Sequence, residues 1–433
     1  SEGGSSLDPA LNISGGDVTG GTRTIRVVNG GQLTIESAGG GTGAQGGNGS
    51  GTGNGGNAVA GNVVFEIINS TANLIGGAPL FNNSAGGTGQ IGGNVSGGTI
   101  TVNAVDSVIN LSPNTLGERN LSIFNEVRGG DGITAGGNAQ GSLVLLTLDG
   151  TQVTGGNLAT TLLATGGNAS AVNGTGGSAT GSTYAANIID AAINSAGEVL
   201  FAADAIGGNG GINGVGGNAT TGDVDVVFTR STIAIAADAQ GLPGILRVRA
   251  QATGGQGATI GNATSRRALL NLVDSTLAAT SVYVESRALA NTINPGQIGG
   301  TALSQQARLN LFGVSGVTAG LVEVSASATT SQGGSATGGF VALEAAAGST
   351  ATVTAPQVNL LADAATGADA TNGIAGATQG GTVFVSAAGG NLTINGNVLG
   401  SARAVGVTAN NVVTGAVARG GAAQLRAAQG GVA

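Results

Sequence analysis

The stretch "AIGGNGGINGVGGNATTGDVDVVFTRSTIAIAAD", residues 205–238, changes character halfway along its length. It begins as a run rich in glycine and asparagine, and it then becomes two short segments in which alternate residues are apolar. Alternation with a period of two is typical of β-strands that are buried on one side. The same succession returns about every forty residues along the 433-residue chain. This spacing predicts a repeat protein rather than two or three globular domains.

The repeat is marked by the strand that follows each glycine tract. These opening strands are predicted to begin at Val63, Thr99, Leu143, Thr183, Val224, Ala268, Ala307, Val341 and Thr382. A short polar corner, a second strand, another corner and a third strand follow before the next tract opens. The corners often contain Ser or Thr, as in "RST" from Arg230 and "DST" from Asp274.

The third strand of one repeat shows how the faces are divided. Leu246, Val248 and Ala250 share one face, whereas Arg247 and Arg249 share the other. Small aliphatic side chains therefore point inward, and the small number of aromatic residues (2 Tyr and 8 Phe) predicts a narrow interior. Three strands per turn around such a core form a parallel β-solenoid, an all-β fold, here of about ten turns. Chain chirality predicts that the solenoid is right-handed.

Residues 1–433 are interpreted as one repeat domain. The last segment, "AAQLRAAQGGVA", begins a further opening strand, and neither end resembles a cap. A terminal turn without a cap presents unpaired backbone groups. The sequence thus predicts either continuation into further repeats of a longer fibre or end-to-end association of chains.

The glycine tracts show a regularity of their own. Gly208, Gly211, Gly214 and Gly217 fall at every third position, and the two tracts nearest the N-terminus behave similarly. Three residues per turn is the repeat of a polyproline-II helix, and its all-glycine form lets neighbouring backbones approach closely. We therefore expect tracts of polyglycine-II type, stacked along one edge of the solenoid and clearest in the first half of the chain. Flexible surface loops are the alternative interpretation.

Composition excludes several functions. The formal charge is −8 and the 14 basic residues are scattered, so we expect no nucleic-acid partner, which would require a basic stripe with aromatic platforms. The chain has no Cys or His, and the usual catalytic bases and zinc ligands are therefore missing. No apolar run approaches the ~18–20 residues of a transmembrane helix.

The few carboxylate pairs are weak candidates for chemistry. Asp223 and Asp225 lie on the outward face of one strand, and they predict either a weak cation site or, as we favour, two solvated charges. Asp363 and Asp369 in a Gly/Ala-rich loop are interpreted in the same way, and the Arg266–Arg267 pair is expected at a solvated corner. No catalytic, cofactor-binding or metal-binding residue is assigned, and the chain is not expected to be an enzyme.

Two segments of the repeat resemble those of a known family of proteins. Segments such as "GGSATGGFVALEAAAGSTATVTAPQVNLLADA" and "GATQGGTVFVSAAGGNLTINGNV" resemble the stalks of filamentous-haemagglutinin-like and autotransporter adhesins of Gram-negative bacteria. The resemblance extends over nearly the whole chain. It implies a secreted, right-handed β-helical fibre at the bacterial cell surface that binds other cells, matrix or polysaccharide.

Two other classes of function stay open. A flat face of the solenoid could bind ice or polysaccharide, and Thr232, Thr276 and Thr350 each follow a Ser at one corner, as a regular threonine array would require. A polysaccharide-degrading β-helix enzyme is the weaker alternative, because glycoside hydrolysis requires two carboxylates at a defined separation.

Overall fold

The computed structural model describes residues 1–5, 11–35, 40–75, 78–112, 121–290, 297–331, 333–366, 376–406 and 417–428. The regular elements of these residues are all β-strands, and all the paired strands run parallel. They form a β-solenoid with a repeat of about 40 residues. The predicted fold class is confirmed, whereas the handedness stays a prediction. Among the described residues no helix is long and apolar enough to span a bilayer.

The first sheet stacks one opening strand per turn. Paired residues are typically 40 positions apart, as in Arg23 with Val63 and Thr382 with Ala422. The opening strands are Arg23–Val28, Val63–Ile68, Thr99–Val105, Leu143–Asp149, Thr183–Ile189, Val224–Thr229, Ala263–Val273, Thr301–Phe312, Phe340–Ala345, Thr382–Ala388 and Ala422–Ala428. Short entry strands precede most of them in the same sheet, at Val18–Thr19, Ala58–Val59, Val95–Ser96, Ala139–Gln140, Ala179–Thr180, Ala219–Thr220, Ser335–Thr337, Thr378–Gln379 and Ala418–Arg419.

The second sheet contains the second and third strands of each turn. The second strands are Gln32–Ile35, Thr71–Ile75, Val108–Ser112, Gln152–Gly155, Ala192–Ala196 and Thr232–Ala236. The third strands are Gly40–Gln45, Ala78–Ala85, Leu121–Arg128, Leu158–Thr165, Glu198–Ile206, Ile245–Thr253, Ala364–Thr366 and Ala404–Val405. In later turns the corner between them is absent and one long strand replaces two, which corrects the prediction of separate strands there. These long strands are Thr276–Ala290, Val314–Thr330, Thr350–Leu361 and Asn391–Ser401.

One narrow core runs through the turns. The side chains of Val224, Val226 and Phe228 are fully buried, as the alternation predicted. The largest fully buried side chain is that of Tyr184, whose ring stacks on that of Phe201 with 5.5 Å between centroids. Each buried aliphatic side chain stabilises the fold by about 1.5–3 kcal/mol. A second, thinner core of mostly alanine lies between the third strands and the entry strands.

The corner between the opening and second strands has a left-handed backbone. Asn69, Asp106 and Asp274 adopt φ values of 46–48°, a conformation that Asn, Asp and Gly tolerate best. The serine that follows links the turns, since the Ser275 Oγ accepts a hydrogen bond from the Ser231 N–H (2.9 Å). The residue types at these corners are therefore set by the left-handed backbone conformation and by the serine hydrogen bond between turns.

Candidate functional site

A hydrogen-bonded layer of glycine segments projects from the edge between the third strand and the entry strand. In most turns of this layer the chain leaves through a Gly-Gly pair, reverses at a tip and returns through a second pair; in residues 254–262 it returns through Ile260 and Gly261. We call this layer the glycine fin. Its clearest members are residues 46–57, 86–94, 129–138, 166–178, 207–218 and 254–262.

A ladder of backbone hydrogen bonds joins the outgoing and returning segments. The Gly208 N–H donates to the Gly177 carbonyl oxygen, and the Gly217 N–H donates to the Gly208 carbonyl oxygen, both at 2.8 Å. The zigzag thus passes alternately between the two sides of the fin. It links, in order, Gly4, Gly16, Gly47, Gly56, Gly87, Gly93, Gly130, Gly137, Gly167, Gly177, Gly208, Gly217, Gly255 and Gly261.

Only glycine fits the pairs of this ladder. A Cβ atom on Gly207 would lie 2.6 Å from the carbonyl carbon of Gly217, and one on Gly208 would lie 2.6 Å from that of Gly167. Real Cβ atoms essentially never approach other heavy atoms within 3.0 Å. The glycines are required by close backbone approach, as the sequence predicted, rather than by an unusual φ angle.

The period of three does not survive as a continuous helix. Gly208 and Gly217 belong to the ladder, but Gly211 and Gly214 form the turn at the tip, where the Gly214 N–H donates to the Gly211 carbonyl oxygen (2.9 Å). Because the chain reverses there, one uninterrupted helix cannot run through the tract. The stacking of the tracts between turns is nevertheless present, and among the described residues the continuous zigzag can be followed as far as Gly261.

At most positions the residue after the glycine pair continues the ladder with its side chain. On the outgoing side, the Asn168 Oδ1 accepts a hydrogen bond from the Asn209 N–H (2.8 Å). On the returning side, the Asn94 Oδ1 accepts from the Asn138 N–H (2.8 Å), and the Asn218 Oδ1 accepts from the Asn262 N–H (2.9 Å). The sequence signal that locates the fin is therefore a glycine pair followed by a polar residue on each side of the tip, which is Gly-Gly-Asn on both sides only in residues 46–57 and 207–218.

The acidic residues considered as candidates are engaged with the next turn. The Arg267 guanidinium binds the Asp225 carboxylate in a bidentate manner and lies 3.5 Å from Asp223 Oδ2. Arg266 and Arg267 lie within the strand Ala263–Val273 rather than at the predicted corner; Arg266 is exposed, as expected, whereas Arg267 is half-buried. Asp363 accepts hydrogen bonds from the Ser401 Oγ (2.6 Å) and the Arg403 N–H (2.7 Å). Asp369 lies outside the described residues.

The outward face of the third strands carries a denser group of charges. The Arg247 guanidinium lies between Glu198 (Nη1–Oε1 3.7 Å) and Glu285 (Nε–Oε2 3.4 Å), and its Cζ is 4.9 Å from the ring centroid of Tyr283. These partners belong to the turns on either side of Arg247. The contacts thus join three successive turns.

Burial changes the acidity of two carboxyl groups on the same face. Desolvation raises the pKa of Asp204 above its ordinary range. The Arg249 guanidinium, whose Nη2 lies 2.5 Å from Asp204 Oδ2, lowers that pKa and so opposes the effect of desolvation. Desolvation also raises the pKa of Glu323. With the exception of Arg128–Asp131, the ion pairs of the described residues join neighbouring turns, and their geometry is that of a stabilising network.

The threonines do not form the regular array that the ice-binding alternative requires. Thr232 pairs with Thr276, but the next residue in that column is Gly316. Thr350 pairs instead with Val314, two positions away from the column. Thr350 follows a serine in the sequence as Thr232 and Thr276 do, but it does not occupy the same position in the sheet register.

The described residues contain no group of three or more acidic side chains that could hold a metal ion. No family model, curated protein or solved structure matches the chain.

Proposed function

We propose that the chain is a structural and adhesive repeat protein that forms a rigid extracellular fibre at the bacterial cell surface. The observation that supports this proposal best is the continuous bonding between turns. Two parallel sheets run along the axis, and as far as Gly261 the fin ladder runs beside them, so each turn over that length is held to its neighbours at three places. In a solenoid, stability accumulates from such nearest-neighbour contacts.

The placement of charge supports a structural function. The candidate acids Asp225 and Asp363 and the buried Asp204 bind arginines of adjacent turns. Carboxylates used in this way stabilise the register of the turns and are poor candidates for acid–base catalysis. The localisation and the adhesive activity rest on the resemblance of the repeats to adhesin stalks.

Electron microscopy of the natively purified protein, together with a surface-binding assay, tests the proposal. We expect straight rods or longer filaments, and we expect beads coated with the protein to bind host cells or matrix in preference to beads coated with albumin. Flexible or globular particles would contradict the fibre, and coated beads that bind no better than the control would contradict the adhesive part alone.

Polysaccharide binding is a second candidate, favoured by one surface group. Half-buried Phe340 and Phe384 lie 6.1 Å apart on the outer face of the first sheet, and the Arg308 and Arg426 guanidinium groups lie 4.7 and 5.3 Å from their rings. The guanidinium groups lie over the rings, so the group offers a sugar the ring edges together with guanidinium hydrogen-bond donors. A glycan array probed with the native chain and with the Phe384→Ser variant tests this candidate. Equal binding by the two proteins would exclude this group.

A further inference from the structure

The outer edge of the glycine fin carries a row of exposed aliphatic side chains. We define this fin edge by Ile91, Ile133, Val172, Ile212, Val215 and Ile298, which are 42–81% exposed. The tips that hold them, residues 89–91, 132–135, 169–175, 210–215, 257–259 and 297–298, contain no charged residue. A row of aliphatic residues that is exposed to solvent and contains no charge marks an interaction site.

The ladder places these side chains in two axial files. In one file, bridges link Ile91, Ala135, Thr175, Val215, Thr259 and Ile298 from turn to turn. In the other file, the Ala171 N–H donates to the Ile133 carbonyl oxygen (2.7 Å) and the Asn213 N–H donates to the Val172 carbonyl oxygen (2.6 Å). The backbone of the fin edge is therefore held in a fixed geometry, which lowers the entropic cost of binding.

We propose that the fin edge is a lateral interface with the fin edge of a second copy of this chain. Parallel strands stack at about 4.7–4.9 Å, so the aliphatic side chains recur along the axis in multiples of that distance. A rigid partner can match such a row over many turns only if it has the same repeat. A second copy has this repeat, and a two-fold axis would bring identical surfaces together.

The available area is sufficient for such a contact. Six aliphatic side chains that are about half exposed provide roughly 550 Å² per copy, or about 1,100 Å² in total, which exceeds the ~1,000 Å² expected of a specific interface. The net charge of −8 does not prevent the contact, because the tips themselves carry no charged residue and Asp131, which precedes the tip 132–135, is paired with Arg128 (2.8 Å). This lateral contact differs from end-to-end association and does not depend on the proposed adhesive function.

Sedimentation velocity of the full chain over a wide concentration range tests the interface. We expect a reversible monomer–dimer equilibrium, and we expect the Ile133→Asn/Ile212→Asn variant to raise the dimer Kd by about 100-fold or more, since burial of each side chain contributes roughly tenfold or more. The single Ile212→Asn variant should raise the dimer Kd about tenfold. It should fold normally because the side chain is 81% exposed.

The matched control is Val314→Asn, since Val314 is 73% exposed at a corner that lies outside the fin. It should dimerise like the native chain, and circular dichroism melts should confirm that all variants are folded. A chain that stays monomeric at every concentration overturns the proposal, as does a dimer that is weakened equally by Val314→Asn. Adsorption of a monomer to zwitterionic lipid vesicles through the same side chains would assign the fin edge to another partner and would also overturn it.

Discussion

Replacing Gly208 by alanine should open the glycine fin locally and leave the walls of the solenoid intact. The new Cβ would lie 2.6 Å from the carbonyl carbon of Gly167 and closer still to its oxygen, so the two backbones must separate. The separation affects both ladder bonds of Gly208, those with Gly177 and Gly217, which are 2.8 Å long. No rotamer change can relieve the clash, because the atoms in contact belong to the backbone.

The expected magnitude follows from these two bonds. Each contributes a net ~0.5–1.5 kcal/mol, and a buried group left without a partner costs a further ~1–3 kcal/mol. The free energy of local opening should therefore fall by about 2–6 kcal/mol. Because 1.4 kcal/mol corresponds to a factor of ten, amide exchange in the fin should accelerate by roughly 30- to 20,000-fold.

Hydrogen exchange followed by mass spectrometry measures this change peptide by peptide. Peptides 166–178, 207–218 and 254–262 should lose protection, whereas the opening strand Val224–Thr229 should keep it. The matched control is Gly316→Ala, because nothing lies closer than 4.0 Å to the position of its Cβ. This change should be neutral or slightly stabilising.

Two results would refute the reasoning. Fast exchange throughout residues 205–223 of the native chain would mean that the fin is not ordered in solution. Unchanged exchange in the turns before and after Gly208→Ala would mean that the ladder does not couple neighbouring turns.

Three further substitutions test other parts of the structure. Asn218→Ala removes the acceptor of the Asn262 N–H and should lower stability by about 1 kcal/mol; hydrogen exchange at that amide should rise, and an unchanged rate would contradict the side-chain ladder. Burial raises the pKa of Glu323 above its ordinary 4.5, so the folded chain binds this proton more tightly than the unfolded chain, and the associated stability is lost as the pH rises from about 4.5 through the folded pKa. Glu323→Gln should flatten that decline in urea denaturation measured from pH 4 to 8, whereas an unaltered pH dependence would rule out this group. Asp274→Val places a β-branched residue at a φ of 48° and removes the acceptor of the Val314 N–H (2.8 Å). We expect a loss of about 2–3 kcal/mol in thermal or urea unfolding, and Asp274→Gly should lose less because glycine tolerates the angle.

The fold could be predicted from the sequence because the decisive information is local. Alternation within six or seven residues identifies a strand, and the starts predicted at Val63, Leu143 and Val224 agree with the structure. The repeat then specifies which strands are neighbours, since the same pattern must stack on itself. Burial of the inward face follows from the period of two.

The details of the fin and of the charges depend on contacts between turns, and the sequence does not reveal them directly. Asp223 and Asp225 appear as an isolated acidic pair until the register brings Arg267, 42 residues beyond Asp225, beside them. The glycine period of three suggested one helix per tract, because a count of glycines does not show where the chain reverses. The glycine pairs on both sides of a tip, as in Gly-Gly-Asn at 207–209 and 216–218, would have located that reversal.

The glycine fin also affects how the rod bends. A flange set apart from the central axis of a beam stiffens the beam against bending in the plane of the flange and has little effect on bending across it. The fin is such a flange, because it lies beyond the thin alanine core and is bonded from turn to turn from Gly4 to Gly261. Over that length the rod should bend more readily sideways than towards or away from its glycine edge. Its bending stiffness therefore depends on the direction of bending.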